Sequence, residues 1–199
     1  AKDINLLLEE LFIMRQIDHP HIVKFHQAFI DYRYVHIVME YCNGGELFDR
    51  IVAAHKFTEK HACEIMEQMM SAVKHLHEHG IVHRDLKPPN ILVKEDFPVI
   101  IDFGLAISKD FVSISLGGSA EFISPEIYEV MDLLKQNKLS DEKRDDFFEE
   151  LKRSDIYALG VTFYQMINGR LPFGSYNPDQ RKKEGYKYIL SLTSRKPIP

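Results

Sequence analysis

His83-Arg84-Asp85-Leu86-Lys87-Pro88-Pro89-Asn90, followed by Ile101-Asp102-Phe103-Gly104, is the stretch whose reading decides the fold. Asp85, Asn90 and Asp102 supply oxygen atoms that accept protons or ligate hard cations, and Lys87 is a mobile cation. All four lie in loops or at strand ends between short apolar runs. A set with few carboxylates suits Mg2+, which keeps its waters and takes further ligands from substrate phosphates; no third carboxylate is spaced for a Ca2+ cage. Metal-assisted phosphoryl transfer is the chemistry such a set predicts. The alternative, that Asp85 and Asp102 merely cap turns, does not explain their joint spacing with Lys87 and Asn90.

Outward from this stretch, the composition bounds the rest. The chain has 199 residues, 45% hydrophobic and 28% charged, the proportions of an ordinary globular protein and not of a disordered or fibrous one. No apolar run reaches the roughly 18–20 residues of a membrane span, and no signal peptide is evident at the N-terminus. A net charge of −5 argues against a nucleic-acid partner. Cys42 and Cys63 lack CxxC spacing, so a disulfide scaffold or zinc module is not expected, and a reducing, cytoplasmic location is.

Hydrophobic periodicity predicts a helix over 3–17 with Leu7, Leu8, Leu11, Met14 and Ile17 on one face, stopped at His19-Pro20. Strands are expected at 22–29 and 34–39, joined as a hairpin near Asp31. A short helix follows Asn43-Gly44-Gly45, from Glu46 to Ala54. Thr58 is a candidate N-cap for a long helix burying Ala62, Ile65, Met66, Met69, Val73 and Leu76, ended at Gly80. Further helices are expected over 154–168 and 180–192. Residues 132–153 carry dense charge of both signs, interrupted by Leu133-Leu134, Phe147-Phe148 and Leu151. They read as a solvated helix pair or an excursion, with a partner-docking surface as the sharper alternative. His75, His77 and His79 alternate, so they face different sides of a helix and suit surface or packing roles over a shared metal. The expected fold class is α+β: a mixed piece over 1–42 and a mainly helical piece over 43–199.

The whole pattern resembles a eukaryotic-type serine/threonine protein kinase. Glu10 matches the helix-C glutamate, Met39-Glu40-Tyr41-Cys42 the hinge, His83–Asn90 the catalytic loop and Asp102-Phe103-Gly104 the metal loop. Ser124-Pro125-Glu126 stands for the usual Ala-Pro-Glu, Asp155–Gly160 for the helix-F signature, and Leu171-Pro172-Phe173 closes the match. The resemblance implies a two-lobed fold, with ATP and Mg2+ as cofactors and protein serine or threonine hydroxyls as acceptors. By the same resemblance Asp85 orients the attacking hydroxyl, Lys87 steadies the transferred phosphoryl group, and Asn90 with Asp102 holds Mg2+. Glu40 and Cys42 offer backbone groups to adenine, Met39 is the gatekeeper and Leu92 part of the floor, although Met39 and Leu92 as plain core residues fit equally. Glu46 resembles the acidic residue that touches ribose; a helix-start carboxylate is the alternative. Arg84 beside Asp85 implies control by a phosphate on the activation segment, with Ser115 in the usual place and Ser113 nearby. Ser119 takes the position of the hydroxyl set against the catalytic Asp and Lys, and His83 is expected to pack on Phe103 in a column with Met14 and Phe25.

Some features depart from the family. No Gly-x-Gly-x-x-Gly is present, and Lys2 lies eight residues before Glu10, about 12 Å along a helix and too far for the family's strand-lysine pair. The expectation is therefore a fragment of a longer kinase, transferring phosphate poorly by itself; the rival is a pseudokinase or scaffold that binds partners without catalysis. Pro89 replaces a residue that is commonly Glu, and the step from Glu126 to Asp155 is long. Asp18–Lys24 and Met39–Ile51 look like the calcium/calmodulin-dependent group, most of all calcium-dependent kinases with their own EF-hands. No Asp-x-Asp-x-Asp-Gly loop occurs, so an EF-hand region or calmodulin acting on it is expected outside these residues.

Overall fold

A computed structural model of the chain describes residues 2–109, 117–128, 130, 141–174 and 191. Helix α1 (Lys2–Gln16) buries Ile13 and Met14, with Ile17 just beyond it, while Leu7 and Leu11 are half-buried. Leu8, expected inward, is 55% exposed, because the buried stripe runs through Ile13 instead. Strands β1 (Phe25–Ile30) and β2 (Val35–Met39) form the antiparallel hairpin. Its turn is fixed by Asp31, whose Oδ1 accepts from the backbone N–H groups of Arg33 and Tyr34, both at 2.7 Å. The first strand begins later than expected because residues 21–23 are used elsewhere. Ile100 N–H donates to the His21 carbonyl and Val23 N–H to the Ile100 carbonyl, both at 2.9 Å, which ties this part of the chain to the backbone at Ile100.

Helix α2 (Leu47–Ala54) leads into α3 (Glu59–Glu78), the centre of the core. Thr58 Oγ1 accepts from His61 N–H at 3.3 Å, and Gly80, at φ +67°, turns the chain away beyond the helix end. The predicted face is the buried one: Ala62, Met69, Val73 and Leu76 have no exposed surface, and Met66 is half-buried at its edge. Four short strands follow: β3 (Ile81–Val82), β4 (Ile91–Lys94), β5 (Phe97–Ile100) and β6 (Ile107–Ser108). β3 pairs with β6 and β4 with β5, all antiparallel. This nesting brings the loop 83–90 and the loop 101–106 to the same end of the two ladders.

Helix α4 (Asp141–Asn168) corrects the expected start at 154. Much of the charged stretch is the first half of one continuous helix. Phe147, Phe148 and Leu151 are buried against Val82, Ile107, Ala120, Ile123, Ile127 and Tyr128. Charges cover its outer side, with Glu149–Lys152 and Glu150–Arg153 pairs one turn apart. A solvated excursion would leave those rings in water, so Phe147, Phe148 and Leu151 are part of a core. Residues 132–140 and the expected helix over 180–192, save 191, lie outside the described residues. Among the described residues no helix is long and apolar enough to cross a membrane.

Candidate active site

The loop 83–90 is held from beneath by a buried carboxylate. Asp155 on α4 is 1% exposed and accepts from His83 N–H (3.0 Å) and Arg84 N–H (2.9 Å). Arg84 sits at φ +70°, a conformation side chains rarely adopt, so its amide bond to Asp155 compensates a local strain. Burial lowers the Arg84 pKa and the Asp155 charge raises it again. The fully buried His83 donates through Nε2 to the Ile101 carbonyl at 3.0 Å, and its Nδ1 accepts from Asp85 N–H at 3.3 Å. That pattern fixes the proton on Nε2, since a carbonyl can only accept. Its ring meets Phe103 edge-on with centroids 5.0 Å apart, and Phe103, Met14 and Phe25 belong to the same apolar core.

Four sequence-predicted side chains converge next to this anchor. Asp85, 8% exposed, receives Lys87 Nζ on Oδ2 at 2.7 Å and Ser119 N–H on Oδ1 at 2.9 Å. Lys87 Nζ also donates to Ser119 Oγ at 2.7 Å. Asn90 Nδ2 donates to both the carbonyl and Oδ2 of Asp85 at 2.9 Å, which commits the amide nitrogen and leaves the amide oxygen for a cation. The hydroxyl of Ser119 arrives because Gly118 turns at φ +120°; a Cβ there would stand 2.9 Å from the Arg84 carbonyl.

Asp102 is exposed at φ +62°, its Oδ1 accepting from Gly104 N–H at 3.2 Å. Glu10 reaches the same place from α1: its Oε2 is 3.8 Å from where a Gly104 side chain would begin. Burial, with the Asp102 charge adding to it, raises the Glu10 pKa above the usual carboxylate range. Among the described residues Glu10 has no ion-pair partner. A hard divalent ion would offset the charge of these two carboxylates, and the Asn90 and Asp102 oxygens are donors of the right kind. Among the described residues no group of three or more His, Cys, Asp or Glu forms a metal cage, so phosphate oxygens would have to complete such a site.

The hinge residues lie apart from this cluster. Glu40 N–H donates to the Lys24 carbonyl at 2.9 Å, and its carboxylate pairs with Lys94. Met39 is 43% exposed and so is not a core residue, whereas Leu92 is half-buried on β4, its backbone bridged to Glu46. The half-buried Glu46 makes no side-chain cap to α2. Burial and the neighbouring Glu40 push the Cys42 thiol pKa up, with Lys94 opposing, so this cysteine is not an activated nucleophile. Ser113 and Ser115 lie outside the described residues. Sequence reasoning missed the anchoring role of Asp155 and the contact of His77 with it (Nε2 to Oδ2, 2.9 Å). The available signal was a lone carboxylate on the apolar face of a helix, which needs a partner once buried.

Comparison with known proteins agrees with this geometry. The model of the protein kinase domain matches residues 1–197. A calcium and calcium/calmodulin-dependent serine/threonine-protein kinase of Lilium longiflorum is 37% identical over 90% of this chain and 33% of its own length. The corresponding kinase of Pisum sativum is 34% identical over 89% of this chain and 33% of its own. Calcium-dependent protein kinase 5 of Plasmodium falciparum is 38% identical over 92% of this chain and 30% of its own. The chain thus spans about a third of the length of the curated relatives it matches. A family match running from the first helix past the last described turn has one reading, and with it the nested loops and the Asp155 anchor fall into place: the chain belongs to the protein kinase family, with its two-lobed α+β fold.

Proposed function

We propose that these residues perform ATP-dependent phosphoryl transfer to serine or threonine hydroxyls of proteins. The single observation that carries the reading is the Asp85–Lys87–Asn90–Ser119 cluster, in which a buried carboxylate is held by three donors. Held in this way, Asp85 has an acceptor position fixed for a substrate hydroxyl and can take up its proton as the phosphoryl group moves. Lys87, shared between Asp85 and Ser119, supplies positive charge where the transferred group gains negative charge. Asn90 and Asp102 are the residues we assign to Mg2+, which when bound neutralises the nucleotide phosphates. Glu40, Cys42, Met39 and Leu92 are assigned to the adenine side, and Glu46 to the ribose side. In the same reading residues 1–42 form the small lobe and 43–199 the large one, Arg84 answers a phosphate on Ser115, and calcium acts through an EF-hand region or calmodulin. Two free thiols suit a reducing compartment such as the cytoplasm.

The scaffold reading has one observation in its favour: the sequence has no Gly-x-Gly-x-x-Gly, and among the described residues no lysine pairs with Glu10. Transfer by these residues alone is therefore expected to be slow. The test is transfer from Mg-ATP to a serine peptide by the full-length protein, with calcium varied. Asp85→Asn is expected to reduce kcat by roughly 100- to 10,000-fold with the fold retained. Asp102→Ala is expected to weaken Mg2+-dependent nucleotide binding. Full transfer by Asp85→Asn overturns the assignment; no transfer by the folded wild type turns the reading to the scaffold.

A further inference from the structure

The stretch 40–46 crosses from the β1–β2 hairpin to the mainly helical part, and β4 holds it at both ends. At the far end Gly44 N–H donates to the Val93 carbonyl at 2.8 Å, and Val93 N–H to the Gly45 carbonyl at 2.9 Å. The approach is so close that a Cβ on Gly44 would stand 2.6 Å from the Val93 oxygen. At the near end the next residue of β4 takes over: Lys94 Nζ pairs with the Glu40 carboxylate, and both side chains are half-buried. Glu40 N–H is itself fixed to the Lys24 carbonyl at 2.9 Å. Between these attachments Tyr41, Cys42 and Asn43 make no backbone–backbone hydrogen bond among the described residues, so their peptide groups stay open to a ligand. Two consecutive residues of one strand thus set the separation of Glu40 and Gly44, and with it the shape of the arch between them. Leu92 lies on the same face of β4 as Lys94, whereas Ile91 and Val93 are buried on the other. The face that carries Leu92 therefore also carries the cation that braces the arch.

We infer that the Glu40–Lys94 pair is a clamp that sets the affinity for the purine base, by holding the arch 41–43 in the shape its backbone presents to adenine. Lys94 is a positioning residue: it acts through Glu40, and none of the bonds of the Asp85 cluster involves it. This inference rests on the nucleotide-binding reading above, so its test includes a readout that needs no nucleotide.

Lys94→Met, Glu40→Gln and the double variant are made in the full-length protein and compared where circular dichroism shows all of them folded. Adenosine is the probe, because it carries the base and no charge, so the lost cation cannot act on it directly. Its Kd is measured by titrating 15N-labelled protein, and the amide resonances of Tyr41 and Cys42 are recorded before any adenosine is added. Steady-state kcat and KM for Mg-ATP are measured alongside. Lys94→Met is expected to raise the adenosine Kd and the KM for Mg-ATP about three- to fivefold, with kcat within about twofold, and to move both amides. Glu40→Gln and the double variant are expected to raise Kd by the same factor, because each breaks one and the same pair. A wild-type Kd in Lys94→Met, or effects of the two single variants that add in the double, overturns the inference. If the wild type binds no adenosine, the amides decide. Equal shifts in all three variants then keep the clamp and remove the nucleotide reading, and unmoved amides remove both.

Discussion

The β1–β2 hairpin and helix α3 are built from similar amounts of apolar side chain but use them in opposite ways. On α3 the inward face is sealed: Ala62, Met69, Ala72, Val73 and Leu76 show no exposed surface. On the hairpin Phe29 is 51% exposed, Ile30 76%, Tyr32 89% and Tyr34 65%, and much of its order comes from local bonds around Asp31. The candidate site grows from the sealed part. Its anchor is on α4, its loops leave β3 to β6, and only Glu10 arrives from α1. Local opening costs least where few apolar contacts must break, so the hairpin is expected to exchange amide hydrogens well before the loop 83–90 does.

Substitutions break this comparison in order of effect. Phe147→Ala removes a ring from the core that joins α4 to residues 120–128 and is expected to cost about 3–5 kcal/mol in denaturant unfolding. Leu76→Ala on α3 is expected to cost about 2–5 kcal/mol. A loss below about 1 kcal/mol at both positions would show the helical part to be less tightly packed than described. Thr58→Ala removes the cap of α3 and is expected to cost about 1 kcal/mol. At the other end of the scale, Ile30→Ala should stay within about 0.5 kcal/mol by the same assay; a larger cost would mean that the hairpin face is covered in solution.

The junction between the two regions gives a test by pH. His19 and His21 from the loop after α1 meet His75 of α3 and His79 just past its end, with ring centroids 4.2–5.6 Å apart along the row. Ser71 holds His19, Pro98 accepts from His21, and the carboxylates of Glu78 and Asp18 face His75. Burial first, and the neighbouring imidazoles second, lower the pKa values of His19 and His75. A histidine with a lowered folded-state pKa binds its proton more readily when unfolded. The stability it contributes is therefore present above about pH 6.5 and falls as the pH drops below it. Thermal melting from pH 8 to 5 should show that acid limb, and the double variant His19→Gln/His75→Gln should flatten it.

The sequence made α3 readable because one uninterrupted apolar stripe, a capping threonine and a terminal glycine agree. The loop 83–90 was readable because its polar and charged side chains are concentrated in eight consecutive residues. Of α4 only the second half, 154–168, was legible, since charges between Asp141 and Arg153 hide the short apolar run 147–151 that sets the inner face of the first half. Nor was the reach of Asp155: its partners His77, His83 and Arg84 are more than 70 residues away along the chain, beyond any periodicity. Leu8 was misplaced because the buried side of α1 runs through Ile13 and Met14 and does not follow the strongest apolar stripe in its sequence.

Gly118 has a consequence for how the chain tolerates change. With the Arg84 carbonyl where a side chain would have to begin, the backbone at 118 is threaded through a gap of fixed width. A single residue inserted between Gly118 and Ala120 would therefore carry the Ser119 hydroxyl away from Lys87.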